Sequence, residues 1–148
     1  MPGLLTSIVY SPLPGSYNRK PLPSAVLIPG YGIEGDRKGG HPRRNLNIMD
    51  QETLSVLDAQ GYPSGPGVLG ENLIVEGIQL DRYPDGTEVR IGSEAVIEVV
   101  RPREPCYKLT ALDARMPESV VGRVGVMARV VTGGTVRVGD AVALLEDR

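Results

Sequence analysis

The only cysteine of the chain, Cys106, lies in a short segment rich in positive charge and proline. Arg101, Arg103 and Lys108 surround it, against one acid, Glu104. Nearby cations favour the thiolate over the thiol, and the thiolate is the form that attacks an electrophile or binds a metal. The alternative is a buried structural cysteine that packs as a small, inert side chain. The surrounding charge favours the reactive interpretation, with a thiol pKa below that of a free cysteine.

The cysteine segment follows a run of strand-forming residues, Glu94–Val100. Neither Pro102 nor Pro105 has an N–H to donate to a sheet, so these prolines are predicted to end the strand. Cys106 is therefore predicted to lie just past a strand end, on a stiff loop.

A second group of charged residues occupies a glycine-rich stretch from Glu34 to Arg44. Its four cations are Arg37, Lys38, Arg43 and Arg44. Glycine lets the backbone approach a ligand closely, and arginine binds phosphate in a bidentate manner, so the stretch is a candidate anion-binding loop. The alternative is a solvated basic loop. His41, the only histidine, has no second histidine or cysteine nearby in sequence, which argues against zinc.

A GxGxxG pattern, Gly30–Gly35, overlaps the start of this stretch. A dinucleotide site of this type requires a helix that begins within the glycines and faces the pyrophosphate. The chain continues instead through Gly39, Gly40 and Pro42 without helical periodicity. A turn-rich loop is therefore predicted.

Glu71 and Asn72 directly precede the apolar run Leu73–Val75, which is predicted to be a strand. A polar pair at the mouth of a strand can hold a ligand or can simply cap the turn. The sequence alone leaves both interpretations open.

The remaining pattern is mostly β. Strands are predicted at 4–10, 24–28 and 45–49, hairpins at 87–91 with 94–100 and at 124–132 with 135–138, and a last strand at 141–145. Asp50 is predicted to cap a short helix with an apolar stripe at Leu54 and Leu57, ended by Gly61 and Pro63, and residues 109–123 are weakly helical. Residues 11–23 are predicted to be a surface loop. Repeated hairpins favour a closed or partly closed β-barrel with one or two short helices, because closure leaves few strand edges exposed.

Composition limits the class of protein. The 148 residues, with no Phe and no Trp, fit a single domain, 1–148, whose core is built of branched aliphatic side chains. A formal charge of −2 argues against a general nucleic-acid binder, and one cysteine excludes an internal disulfide. We see no signal peptide and no apolar run of membrane-spanning length, so a soluble cytoplasmic protein is expected.

Taken together, the motifs resemble the MOSC domain (molybdenum cofactor sulfurase C-terminal domain). The resemblance rests on Gly35-Asp36-Arg37, on Gly70-Glu71-Asn72-Leu73 with Val75-Glu76-Gly77, and on Arg101-Pro102-Arg103 with Pro105-Cys106. Its closing segment matches Gly125–Val130, Gly133-Gly134 and Val138-Gly139-Asp140. The resemblance extends over nearly the whole chain, from the first strand to Leu145.

The resemblance implies a mostly β, barrel-like fold that binds the molybdenum cofactor (molybdopterin). By matching position, Cys106 is the residue that ligates molybdenum or handles transferred sulfur. The basic residues expected to hold the pterin phosphate are Arg37, Lys38, Arg43, Arg44 and Arg103, with Lys108 as a further candidate. Glu71 and Asn72 match the polar pair before the central strand.

Three functions follow as expectations. The first is a molybdenum-dependent oxidoreductase that reduces N-hydroxylated substrates with electrons from a separate reductase. The second is a carrier that hands the cofactor or its sulfur to another enzyme, with a cysteine desulfurase as a partner. The third is a small β-barrel binding module with a structural cysteine and no catalytic role. The family is also associated with pyridoxal phosphate through a sulfurase domain that this chain lacks, so we expect a minimal, stand-alone member.

Overall fold

Seven strands of one sheet, paired in both antiparallel and parallel fashion, close into a barrel. The structure, a computed structural model, describes residues 3–12, 19–37, 39–40, 45–63, 65–68, 70–102 and 125–145, with backbone only at 101 and 102. The strands are β1 (Gly3–Tyr10), β2 (Lys20–Leu22), β3 (Ser24–Ile28), β4 (Gly32–Ile33), β5 (Leu46–Asp50), β6 (Leu73–Glu76), β7 (Glu88–Ile91), β8 (Ala95–Pro102), β9 (Val126–Thr132), β10 (Gly134–Arg137) and β11 (Ala141–Leu144). One α-helix, α1 (Gln51–Ala59), and a 3₁₀ turn (Leu80–Arg82) complete the described elements.

The barrel closes because β1 pairs on both sides. The strands follow one another in the order β11, β7, β8, β9, β5, β6 and β1, and β1 returns to β11 through Gly3 opposite Val142. The β5–β6 pair is parallel, and α1 lies in the connection between the two strands. The prediction of a mostly β, closed barrel with a short helix is confirmed.

Aliphatic side chains fill the barrel, as the lack of Phe and Trp predicts. The buried cluster takes alternate residues of each strand, as the pleat requires, and includes Leu5, Ile48, Leu73, Ile97 and Val130. At about 25 cal/mol per Å² of apolar surface removed from water, this burial is the main favourable term for the fold.

Helix α1 covers a second, smaller apolar layer on the outside of the barrel. Leu54 and Leu57 are buried and face β5 and β6, whose Met49 and Ile74 are 1% exposed. The side chain of Asp50 accepts the N–H of Thr53 at 2.8 Å, so the helix begins where the sequence predicts.

The second predicted hairpin is wrong. β9 pairs with β5 and β8, whereas β10 pairs with β3 in a separate three-stranded sheet of β10, β3 and β4. The chain changes sheets at Gly133, where a Cβ would lie 2.7 Å from the carbonyl oxygen of Leu27. Such a close approach of two backbones needs glycine, so the Gly133–Gly134 pair serves a crossing between sheets and not a tight turn.

Two further local predictions need correction. Residues 20–22, predicted to be loop, form β2 on the edge of the barrel sheet, paired with the end of β1. The β8 strand does not end before Pro102: it continues through Pro102, which lies opposite Val126, after a register shift between Val99 and Arg101. Pro102 is the last residue of β8, and a proline at the end of a strand interrupts few ladder hydrogen bonds.

Strand directions define two ends of the barrel. β1 ends where β5 and β6 begin, and we call this the Asn72 end. β8 ends where β9 begins, and antiparallel pairing of β9 with both β8 and β5 makes this the opposite end, the Pro102 end. In the part of the chain that the structure describes, no helix has the length and apolar character needed to cross a membrane.

Candidate functional site

Three of the predicted site residues lie in the described part of the chain: Arg37, Glu71 and Asn72. Six lie outside the described residues, namely Cys106, Lys38, Arg43, Arg44, Arg103 and Lys108. The weakly helical prediction for 109–123 also falls outside them. The described part of the site comprises the first and second motifs and the strand ends on either side of segment 103–124.

Asp36 is the most buried residue of the Gly35-Asp36-Arg37 motif. It is 1% exposed, although Gly35 and Arg37 on either side are exposed. Its Oδ1 accepts the backbone N–H of Ser11 at 3.0 Å, and its Oδ2 accepts the Nδ2 of Asn72 at 3.2 Å. A carboxylate withdrawn from water without partners costs several kcal/mol, so these bonds fix the loop against the end of β1.

Asn72 joins three parts of the fold through one amide. Its Nδ2 donates to Asp36 and, at 3.4 Å, to the carbonyl oxygen of Val9, while its Oδ1 accepts the N–H of Asn47 at 3.0 Å. Both N–H groups of the amide are thereby used within the chain. The side chain of Asn72 is 6% exposed and links β1, β5 and the Asp36 loop.

Glu71, which is fully buried, directly precedes Asn72. Its Oε2 accepts the backbone N–H of Gly67 at 2.9 Å, which ties the glycine-rich segment before β6 back onto the strand mouth. A Cβ on Gly67 would lie 2.7 Å from the side chain of Val9, so this segment also packs closely on β1. The structural interpretation of Glu71 as a turn support is thus realised, and its contact with a ligand stays a prediction.

In the described part of the glycine-rich loop, five backbone N–H groups donate to carbonyl oxygens within the chain. Donors within the chain are the N–H groups of Glu34, Asp36, Arg37, Gly39 and Gly40, which bond to carbonyl oxygens of Val26, Ile33, Ser11, Asp36 and Tyr31. The described loop contains turns and β4, and no helix begins within its glycines. The turn-rich loop predicted over Gly30–Gly35 is thus confirmed, and anion binding by the loop stays a prediction.

Tyr31 is the residue around which this loop folds. Its hydroxyl donates to the carbonyl oxygen of Asp36, and its own carbonyl oxygen accepts the N–H of Gly40 at 2.8 Å. A Cβ on Gly39 would lie 2.6 Å from the Tyr31 ring, which explains a glycine at this position. The loop therefore has a defined shape that leaves the side chain of Arg37 exposed.

The cysteine segment and the basic loop leave the barrel from opposite ends. Segment 103–124 begins after Pro102 and returns at Gly125, both at the Pro102 end, whereas Asp36 is bonded to Ser11 at the Asn72 end. One row of paired residues runs across the sheet from the last residue of β8 to the start of β6 and the end of β1. In this row each residue lies opposite the next, in the order Pro102, Val126, Ile48, Leu73 and Ile8. The convergence of the cations on Cys106 involves side chains outside the described residues and stays a prediction.

No group of three His, Cys, Asp or Glu side chains that could hold a metal ion occurs among the described residues. A surface cavity of about 260 Å³ lies beside α1, and none of the described predicted site residues lines it. Its lining is Gln51, Leu54, Ser55, Asp58, Gly65, Pro66 and Ile74.

A charge pair between β8 and β9 belongs to the barrel wall. Nε of Arg129 donates to Oε1 of Glu98 at 2.7 Å, and the two residues are register partners. This hydrogen bond raises the pKa of Arg129 above its ordinary value, so the guanidinium stays charged and introduces no titration in the working range. Both side chains are partly exposed, and such a pair contributes about 0–1 kcal/mol.

Asp36 and Asn45, two buried polar residues at the Asn72 end of the barrel, are not among the candidate site residues predicted from the sequence. Oδ1 of Asn45 accepts the N–H of Val130 at 3.0 Å, and Asn45 is 3% exposed. An acid between a glycine and an arginine in a polar loop looks solvent-exposed, and no local signal indicates otherwise. The positive φ of +86° at Gly35 shows the turn that brings Asp36 inward.

Comparison with known proteins adds a family and two curated relatives. The family model of the MOSC domain matches residues 35–143, a range that contains Asp36, Asn72 and Cys106. A protein named "Reductase" from Gibberella moniliformis is 32% identical over 85 residues, which are 54% of this chain and 15% of the relative. The uncharacterized protein YflK of Bacillus subtilis is 30% identical over 138 residues, 86% of this chain and 62% of YflK. The chain thus spans less than two thirds of either relative.

Solved structures share the fold. YuaD from Bacillus subtilis has a TM-score of 0.82 at 19% identity, and the match covers 100% of this chain and 98% of YuaD. YiiM from Geobacillus stearothermophilus has a TM-score of 0.76 at 21% identity, covering 98% of this chain and 76% of that one. YiiM from Escherichia coli gives 0.71 at 26% identity, with coverage of 98% and 71%.

Proposed function

Because this chain belongs to the MOSC domain family, we propose that it binds the molybdenum cofactor and uses it to reduce N-hydroxylated substrates. The family is associated with that cofactor, and a relative over half of this chain bears the name reductase. The proposal gives Cys106 the role of molybdenum ligand. When bound, the metal supplies the redox chemistry.

The observation that carries the proposal is the buried bond between Asp36 and Asn72. It joins the first two motifs of the family, which are 36 residues apart in sequence, at one end of the barrel. Arg37 follows Asp36 directly, and its backbone N–H donates to the carbonyl oxygen of Ser11 at 2.8 Å. Its side chain is exposed. A cation fixed at its backbone and open to solvent suits an anionic group such as the pterin phosphate.

Among the described residues, the side chain of Arg37 is the donor that suits the anionic group of the cofactor. The loop's backbone N–H groups named above are bonded within the chain, so they do not cradle a phosphate. The binding set proposed is Arg37, Lys38, Arg43, Arg44, Arg103 and Lys108, with Glu71 and Asn72 beneath it. Cations of this kind hold the anionic group, orient the pterin and keep Cys106 as a thiolate, which a thiophilic metal prefers.

Chain reach allows the cysteine and the basic loop to share one site. Three strand spacings of about 4.8 Å, roughly 14 Å, separate Pro102 from Leu73 along their common row. The four residues from Pro102 to Cys106 extend by at most about 14 Å. Segment 103–124 and the basic loop can therefore reach one shared site on the barrel wall, although they leave the barrel from opposite ends.

The test is the substitution Cys106→Ser, expressed in a host that makes the cofactor. Wild type should carry molybdenum and pterin and, with an artificial electron donor, should reduce an N-hydroxylated compound. The variant should keep its thermal melt but lose metal and activity, because a neutral hydroxyl is a poor ligand for a site that favours soft donors. A variant that binds molybdenum and works as wild type would exclude Cys106 as the ligand.

Two other outcomes identify the alternatives. Loaded wild type that reduces no substrate, but restores an apo-molybdoenzyme, would make the protein a carrier of the cofactor or its sulfur. A variant that unfolds would show that the cysteine is a core residue, as in a binding module without catalytic function.

A further inference from the structure

We infer that Asp36 and Asn72 are positioning residues, a buried pair that sets where Arg37 presents its charge to an anionic ligand. The inference rests on the proposed function and assigns these two side chains a role that acts through Arg37. Neither residue needs to touch the ligand.

Burial and bonding carry the first step. Asp36 is 1% and Asn72 6% exposed, so neither side chain offers much surface to a ligand. Both N–H groups of the Asn72 amide already donate, to Asp36 at 3.2 Å and to Val9 at 3.4 Å. Its oxygen accepts from the N–H of Asn47 at 3.0 Å. A side chain committed in this way holds other groups in place.

The second step links the pair to Arg37. The backbone of Ser11 makes two hydrogen bonds to this loop: its N–H donates to the side-chain Oδ1 of Asp36, and its carbonyl oxygen accepts the N–H of Arg37. The side chain of Asn72, just before β6, bonds to Asp36, to Val9 of β1 and to Asn47 of β5. The backbone of Arg37 is therefore fixed relative to β1, β5 and β6. Displacing an ion-pairing group by about 1 Å is enough to weaken its contact substantially.

Exchanging donor and acceptor tests the pair with little change of shape. Asp36→Asn turns a new amide donor toward the Nδ2 of Asn72. Asn72→Asp places two carboxylates at the 3.2 Å contact. In the double variant, the amide at position 36 donates to the carboxylate at position 72, and the bonds from Ser11 and Asn47 are kept. Of these hydrogen bonds, the one to Val9 is lost, so the double variant should recover most of what the single variants lose.

The experiment compares wild type, the two single variants and the double variant, each expressed in a host that makes the cofactor. Molybdenum and pterin per folded chain should fall at least about ten-fold in the single variants, because that is the effect of losing a charge-assisted contact. Both should return to at least half of wild type in the double variant. Asp140→Ala is the stability control, since Oδ2 of Asp140 accepts the N–H of Arg137 in a turn without contact to the pair. It should load as wild type.

A second readout separates this inference from the proposed function. Inorganic phosphate is titrated into each protein, and the NMR shift of the Arg37 backbone amide is followed. If wild type holds no molybdenum, the proposed function fails, but phosphate binding that is lost in the single variants and regained in the double variant still supports the positioning pair. Single variants that load and bind phosphate as wild type would overturn it. So would a double variant without recovery, or one that fails to fold, and so would an equal loss in Asp140→Ala.

Discussion

The backbone of Gly125 lies directly against the carbonyl group of Ile48. A Cβ built on Gly125 would lie 2.0 Å from that oxygen, and Gly125 has a φ of +78°. Gly125 is the residue through which segment 103–124 enters β9. The return of the cysteine segment to the barrel therefore depends on a position that admits no side chain.

Gly125→Ala should lower the free energy of unfolding by clearly more than the cost of positive φ alone. That strain is worth about 1–2 kcal/mol, and contact with a backbone carbonyl, which cannot rotate away, adds to it. Gly30→Ala is the matched control, with a φ of +76° and nothing within 4 Å of the added Cβ. Urea unfolding of both variants measures the difference, and equal losses would contradict the packing argument.

The apolar layer beneath α1 predicts very different costs at adjacent positions. Leu57→Ala, at a fully buried residue, should cost about 2–5 kcal/mol because it leaves a cavity between the helix and the barrel. Val56→Ala, at a residue 51% exposed, should change stability by no more than about 0.5 kcal/mol. Chemical denaturation of the two variants checks this, and a large loss at Val56 would mean that another element covers the helix.

Asp50 caps α1 and also binds a neighbouring loop. Its Oδ2 accepts the N–H and the hydroxyl of Thr53 at 2.8 Å each and the side-chain amide of Gln79 at 3.4 Å. Asp50→Ala should cost about 0.5–2 kcal/mol, while Asp50→Asn should cost less because asparagine is an equally good cap. Thermal melts of the two variants give the order, and a more stable alanine variant would refute the capping role.

Removal of cations should weaken cofactor retention without loss of the fold. If the proposed function holds, Arg37→Ala and Arg103→Ala would each remove a charge-assisted contact worth about 1.5–3 kcal/mol, which predicts roughly ten-fold or greater loss of bound cofactor. Arg90→Ala makes the same charge change at an exposed position of β7 and serves as the control. Pterin fluorescence per chain is the measurement. A parallel loss in the control would indicate a non-specific charge effect.

The thiol of Cys106 should react as thiolate at lower pH than a free cysteine. Positive neighbours stabilise the thiolate, so the pKa falls, whereas apolar burial would raise it. The rate of alkylation of the apo protein against pH gives the midpoint, and the same chain unfolded in urea gives the reference. A midpoint above the reference would favour a buried, structural cysteine.

Local features of the sequence determine the strands and the helix. Asp50, Leu54, Leu57 and Gly61 define α1 within a dozen residues, because capping and the period of an apolar face act over one or two turns. The alternation of aliphatic residues similarly defines the β7–β8 hairpin and its turn at Gly92. The order of the three motifs also identifies the family, since it depends on the sequence alone.

Only the tertiary structure decides which strands pair and which polar residues are buried. β10 looks like the partner of β9 across Gly133–Gly134, yet it pairs with β3, more than 100 residues earlier, because that pairing buries Val136 and Leu27 together. Asp36 looks like a surface acid until β1 and β6 bring Ser11 and Asn72 to it. Partners distant in sequence leave no local signal, since the free energy that selects them comes from burial in the complete fold.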